Sequence, residues 1–116
     1  MVVDSSALIA ILRGEPEAGD LSDAIAAADL CLLSAANLLE TAIVLDNLVD
    51  PRVGRHLDSY VEHAGIRIEP VTEEQVRIVR RAYLDFGRGN HPAKLDVGDC
   101  FASALEGERG AAAVQG

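Results

Sequence analysis

Apolar and polar positions switch between a strand-like and a helix-like rhythm along the chain. Met1-Val2-Val3 leads into Asp4-Ser5-Ser6 and then the apolar run Ala7–Leu12, which reads as a short buried strand, a tight turn and a helix. Arg13-Gly14-Glu15-Pro16-Glu17 interrupts the rhythm, with Gly14 suited to close the first helix and Pro16 to open a second over 16–28. Leu30-Cys31-Leu32-Leu33 is a short unbroken apolar run, as expected of a strand buried on both faces. Ser34 then serves as N-cap for a helix over about 35–48, with Leu38, Leu39, Ala42, Ile43 and Leu45 as its apolar stripe. Asp50-Pro51 marks a turn before a helix over 51–64, with Val53, Leu57, Tyr60 and Val61 on one side and Gly65 just past its end. Ile66–Val71 alternates, and the strand ends near Glu69. Thr72-Glu73-Glu74-Gln75 is a capping-box pattern opening a helix through about Phe86. Val76, Val79, Ala82 and Tyr83 are placed inward on it, with Arg77, Arg80, Arg81 and Leu84 outward. Gly87-Arg88-Gly89-Asn90-His91-Pro92 reads as a loop and Leu95–Leu105 as entry into a last helix. Ala111–Val114 offers a weak final strand, although Ala is a poor strand former. Strands alternating with helices imply an α/β fold, a parallel sheet with helices on both faces. No repeat or linker divides the chain, so residues 1–116 are expected to form one domain.

Composition narrows the function. Nearly half of the 116 residues are apolar, enough for a real core and against disorder. With no Trp, two Tyr and two Phe, aromatic platforms for single-stranded bases are not expected to dominate any nucleic-acid contact. Cys31 and Cys100 are the only cysteines and lack metal-type spacing, and the start lacks a basic, then apolar, leader pattern. A reduced, cytoplasmic protein is the expectation, with no apolar run long enough to span a bilayer. The formal net charge of -9 argues against a general DNA-coating protein. Yet Arg77, Arg80, Arg81, Arg88 and Lys94 supply half of the 10 Lys and Arg, against only Asp85 in the same stretch. That patch suits an anionic ligand, or is simply a solvated helix face.

Three acids recur at corresponding places: Asp4 after the first strand, Glu40 in the helix after the second, and Asp99 in the helix after the loop. Ligands of open α/β sheets bind beyond the carboxyl ends of the strands, where these acids can converge. Clustered carboxylates repel one another, and a hard divalent cation such as Mg²⁺ or Mn²⁺ relieves the repulsion. Such a site suits hydrolysis of a phosphodiester. Each acid also has a structural account. Asp4 can cap the first helix, and the helix dipole favours Glu40 near its helix start. Asp96 is read as an N-cap, with Asp99 at N3 of the same helix. Asp99 is placed among the metal ligands because apolar residues follow it. His91 is read as a loop histidine or a phosphate contact, and Cys100 as a small core residue.

Val3-Asp4-Ser5-Ser6-Ala7-Leu8, Ser34-Ala35-Ala36-Asn37-Leu38-Leu39-Glu40, Phe86–Ala93 and Leu95-Asp96-Val97-Gly98-Asp99-Cys100-Phe101 together resemble the PIN-domain ribonucleases, and most of all the VapC toxins of bacterial toxin–antitoxin operons. The resemblance runs from residue 1 to about residue 106. It implies a three-layer α/β/α sandwich around a parallel sheet and Mg²⁺- or Mn²⁺-dependent endonucleolytic cleavage of RNA, typically tRNA or ribosomal RNA, with arrest of translation. Asp4, Glu40 and Asp99 match the first three acids of the family's site, and Ser6 the hydroxyl that supports it. Asp96 stands where Asn is frequent and is a supporting residue. Arg77, Arg81, Arg88 and Lys94 are the RNA-binding candidates. The resemblance also implies a VapB-type antitoxin that wraps the toxin, a homodimer, and contact with DNA only through the antitoxin. The family generally carries a fourth acid after the last strand, following a Gly. The chain stops at Gly116, about where that acid is due. The expectation is a shortened C-terminal end, a last strand weak or truncated, and a weakened second metal site. A catalytically weak module that binds the antitoxin without RNA turnover is the alternative.

Overall fold

The computed structural model describes residues 1–48, 50–88 and 97–115, the side chains of 86–88 and 110–115 excepted. Eight elements follow in order: α1 (Ser5–Arg13), α2 (Ala18–Ala27), β1 (Leu32–Ser34), α3 (Ala35–Asp46), α4 (Pro51–His63), β2 (Arg67–Glu69), α5 (Glu73–Arg88) and α6 (Val97–Gln115). They form the expected α/β/α arrangement around a parallel sheet. β1 and β2 pair in parallel, Leu32 with Arg67, Leu33 with Ile68 and Ser34 with Glu69. The opening segment adds to the other side of β1, through a parallel bridge between Val2 and Leu32. The Val3 N–H donates to the Leu32 carbonyl at 2.8 Å and the Leu32 N–H to that of Met1 at 2.9 Å.

Helix ends follow the local chemistry. Asp4, in extended conformation, accepts from the Ala7 N–H and caps α1. Gly14 ends α1 at φ 68°, a left-handed conformation that glycine adopts without a Cβ penalty, and its N–H returns to the Ala10 and Ile11 carbonyls. Ser34 caps α3 and Asp50 caps α4, with Pro51 in the first turn. Gly65 follows α4 at φ 69°. The capping box of α5 is half made. Thr72 Oγ1 accepts from the Gln75 N–H at 3.1 Å, but the Gln75 side chain turns away and donates to Glu108 Oε2 on α6 at 3.0 Å.

The core gathers Val3, Leu8, Ile25, Cys31, Leu33, Leu45, Leu57, Val61 and Ile66 from the strands and α1 to α4. Burying large aliphatic side chains contributes about 1.5–3 kcal/mol each, and this cluster fixes the strand ends from which the site is built. Among the described residues no helix is long and apolar enough to cross a membrane.

Three expectations are corrected. The face of α3 turned inward is Asn37, Thr41 and Leu45, while Leu39 and Ile43 are 62% and 53% exposed. The buried polar pair wins that face because its side chains find hydrogen-bond partners there. On α5, Val76 faces out and Gln75 is buried, again with a partner on the neighbouring helix. Finally, 111–114 is not a strand: α6 runs on through Gln115. Consecutive alanines are the strongest helix formers, and they extend the helix already running.

Candidate active site

The site forms where the starts of α1, α3 and α6 meet. Strand pairing of Val2 with Leu32 carries Asp4 to the sheet's carboxyl end, where α1 begins. The Asp4 carboxylate has a structural duty that the sequence left open against a functional one. Oδ1 accepts from the Ala7 N–H at 2.9 Å and from the Ser6 hydroxyl at 2.7 Å. Both bonds fall on Oδ1, so the cap uses one of the two carboxylate oxygens. Ser6 thus donates to the carboxylate of Asp4.

Asp99 lies in the first turn of α6. It lines the same concavity as Asp4, about 360 Å³ in volume, together with Val2, Ala102, Ser103 and Glu106. Glu106 is an acid that the sequence reading passed over. Its signal is spacing, since positions 99, 103 and 106 share one face of a helix. Glu40, on α3, reaches the same corner by another route. Its carboxylate packs so closely on Gly98 that a Cβ there would come within 2.9 Å of Glu40 Cδ and Oε1. Asp4 and Asp99 thus share a concavity, and Glu40 stands against the residue preceding Asp99.

A buried network joins the three helix starts. Asn37 Nδ2 donates to Ser5 Oγ at 2.9 Å and to the Gly98 carbonyl at 3.0 Å. The Asn37 carbonyl accepts from Thr41 Oγ1 at 2.8 Å and from Ser5 Oγ at 3.3 Å. Ser5, Asn37 and Thr41 are 4%, 0% and 0% exposed. In the sequence Asn37 stands out only as part of the Ser34–Glu40 motif. A polar residue on the inward face of α3 is the signal that finds it.

The donor set is carboxylate oxygen, the preference of Mg²⁺ and Mn²⁺. Among the described residues no three acidic, histidine or cysteine side chains come together as a metal cage. Two acids line one concavity, and Glu40 packs against the residue that precedes one of them. That pair fits Mg²⁺, which binds through one or two carboxylates and keeps several waters.

The basic candidates lie on the outer side of α5. Arg77 pairs with Glu73 at 2.6 Å, and Arg77 and Arg81 line one shallow groove with Ile78 and Asp85. That groove shares Ile78 and Ala82 with a mainly apolar one of about the same volume between α5 and α6, which reaches Asp99 and Ser103. The Arg88 side chain, Lys94, Asp96 and His91 lie outside the described residues.

The PIN domain family description matches residues 1–115. Ribonuclease VapC28 of Mycobacterium tuberculosis is 54% identical over 110 residues, covering 94% of this chain and 83% of the relative. A VapC ribonuclease of Mycobacterium bovis, Mb0625, gives the same figures. Ribonuclease VapC of Mycolicibacterium smegmatis is 42% identical over 105 residues, covering 90% and 81%. In structure, the chain resembles Mycobacterium tuberculosis VapC20, described as a sarcin-ricin loop cleaving toxin, with TM-score 0.70, 18% identity and coverage of 94% and 82%. At that identity the likeness speaks for the fold alone.

Proposed function

The chain belongs to the PIN-domain family, among its VapC ribonucleases, and from that premise we propose that it is a divalent-metal-dependent endoribonuclease, the toxin of a toxin–antitoxin pair. The observation that carries this reading is the shared concavity of Asp4 and Asp99, two acids from opposite ends of the chain. Asp4 and Asp99 would hold the cation, with Glu40 beside them. When bound, Mg²⁺ or Mn²⁺ lowers the pKa of a coordinated water and neutralises charge on the phosphate. Ser6 orients Asp4 through its bond to Oδ1. The Arg77 and Arg81 groove offers cationic contacts to the RNA backbone away from the cut.

The substrate class is structured cellular RNA, tRNA or ribosomal RNA, and its cleavage inhibits translation. The partner is a VapB-type antitoxin, through which any contact with DNA runs. The exposed Leu39 and Ile43 on α3 support a homodimer. The test is cleavage of total RNA with and without Mg²⁺ by the unmodified chain and by Asp99→Asn. Metal-dependent cleavage lost in the variant supports the reading.

A second reading has its own observation, the lack of a three-ligand cage among the described residues. On it the chain binds the antitoxin without turning over RNA. Antitoxin binding with no cleavage at any Mg²⁺ or Mn²⁺ concentration selects it.

A further inference from the structure

We infer that Asn37 is a positioning residue that sets the separation of Asp4 and Asp99, an inference resting on the nuclease reading above. Its amide nitrogen spends both hydrogens on two elements far apart in sequence, one on Ser5 Oγ at 2.9 Å and one on the Gly98 carbonyl at 3.0 Å. Each partner is the chain neighbour of an acid: Ser5 follows Asp4, and Gly98 precedes Asp99. The two N–H bonds of a planar amide diverge at a fixed angle, so one rigid group spans the gap between the start of α1 and that of α6.

The orientation of the amide is dictated. The Gly98 carbonyl only accepts, so only the nitrogen can face it. That choice leaves Asn37 Oδ1 buried and, among the described residues, without a hydrogen-bond partner. A buried acceptor left in this state costs stability, and packing alone calls for an apolar residue at a fully buried place. The cost is understood if the two N–H bonds serve the site. Glu40, one turn further along α3, presses on the same Gly98 through the space its missing Cβ leaves. α3 therefore grips position 98 twice, by a hydrogen bond to its carbonyl and by close packing on its Cα.

The prediction concerns metal affinity and turnover. Outer-shell partners of metal ligands, when removed, typically cost 10–100-fold in affinity or activity. Asn37→Ala should raise the Mn²⁺ midpoint at least about tenfold, read by calorimetric titration and by the metal-induced rise in Tm. It should lower kcat with KM for RNA little changed. Asp50→Ala, which strips the N-cap from α4, an element that contributes nothing to the Asp4 and Asp99 concavity, is the control: its Tm falls but its Mn²⁺ midpoint stays. Should Asn37→Ala not fold, Ser5→Ala removes one of the two anchor points and should move the midpoint in the same direction. An unmodified chain that binds Mn²⁺ and cleaves RNA, with a positioning variant of unchanged midpoint and kcat, overturns this role alone. An unmodified chain that neither binds Mn²⁺ nor cleaves RNA overturns the nuclease reading and this role with it.

Discussion

The Glu40 carboxylate occupies the space that a Cβ at position 98 would need. The clash is with the mobile end of a side chain, so the carboxylate, not the helix, would yield. Ala in place of a helical Gly gains up to about 1 kcal/mol in propensity, which offsets the displacement. Gly98→Ala is therefore expected to leave stability within about 1 kcal/mol of the unmodified chain while lowering RNA cleavage, because Glu40 is pushed off its corner. Urea unfolding and a cleavage assay on the same preparation check both halves.

Asp4 carries two duties that different substitutions separate. Serine is as good an N-cap as aspartate, so Asp4→Ser should keep the cap of α1 and the fold. Asp4→Ala should lose about 1 kcal/mol by losing the cap. Both remove the carboxylate and should abolish cleavage alike. A Tm series with matched activity assays shows whether stability and activity part company in this way.

Asp50 gives a pH signature away from the site. The Arg52 guanidinium bonds both of its carboxylate oxygens at 3.1 Å, and the Arg52 N–H bonds Oδ1 at 3.0 Å. These contacts, led by the side-chain bond, hold the Asp50 carboxyl below its usual value of 3.8, against a small opposing effect of burial. A carboxyl lowered in the folded state stabilises it above the unfolded pKa, and this is lost as pH falls through the folded value. Asp50→Asn keeps a capping side chain but not the charge. The stability difference between the two proteins should be full near neutrality and shrink below about pH 4, as acid unfolding curves will show.

Gln75 is buried with Oε1 unpartnered among the described residues, while Nε2 bonds Glu108 at 3.0 Å. Glu108 is partly exposed and can return to water. Gln75→Leu removes a buried acceptor and keeps the volume, so it should change stability by less than about 1.5 kcal/mol. Thr72→Ala, which strips the bond to the Gln75 N–H, should cost about 1 kcal/mol. Chemical denaturation of the two variants tests the pair.

Much of this architecture was legible in the residues. Ser34 caps the helix it precedes, the turn at Asp50-Pro51 opens α4, and Gly14 and Gly65 close helices with positive φ. These are local signals, and local chemistry decides them. The unbroken run ending at Leu33 and the alternation before Glu69 became the paired strands β1 and β2. What escaped was tertiary. The apolar residues Leu39 and Ile43 obey helical spacing yet face out, because Asn37 and Thr41 take the inner face with bonds no local rule announces. Gln75 escaped likewise, since its partner Glu108 lies on another helix. The tail Ala111–Val114 was misread because helix continuation from 97 onward outweighs a strand pattern four residues long. In the site, the order of the α/β elements suggests one end of the sheet for Asp4, Glu40 and Asp99, of which Asp4 and Asp99 line one concavity, whereas Asn37 and Glu106 are placed by the packing of α3 and α6.

The central claim is that Asp4 and Asp99 together hold the divalent ion on which RNA cleavage depends. Its most direct test is a Mg²⁺ and Mn²⁺ titration of RNA cleavage by the unmodified chain, Asp4→Asn and Asp99→Asn, each checked for folding. Cleavage is expected to rise with metal in the unmodified chain and to be lost in both variants. Cleavage that persists in either variant, or that ignores the metal, would contradict the claim.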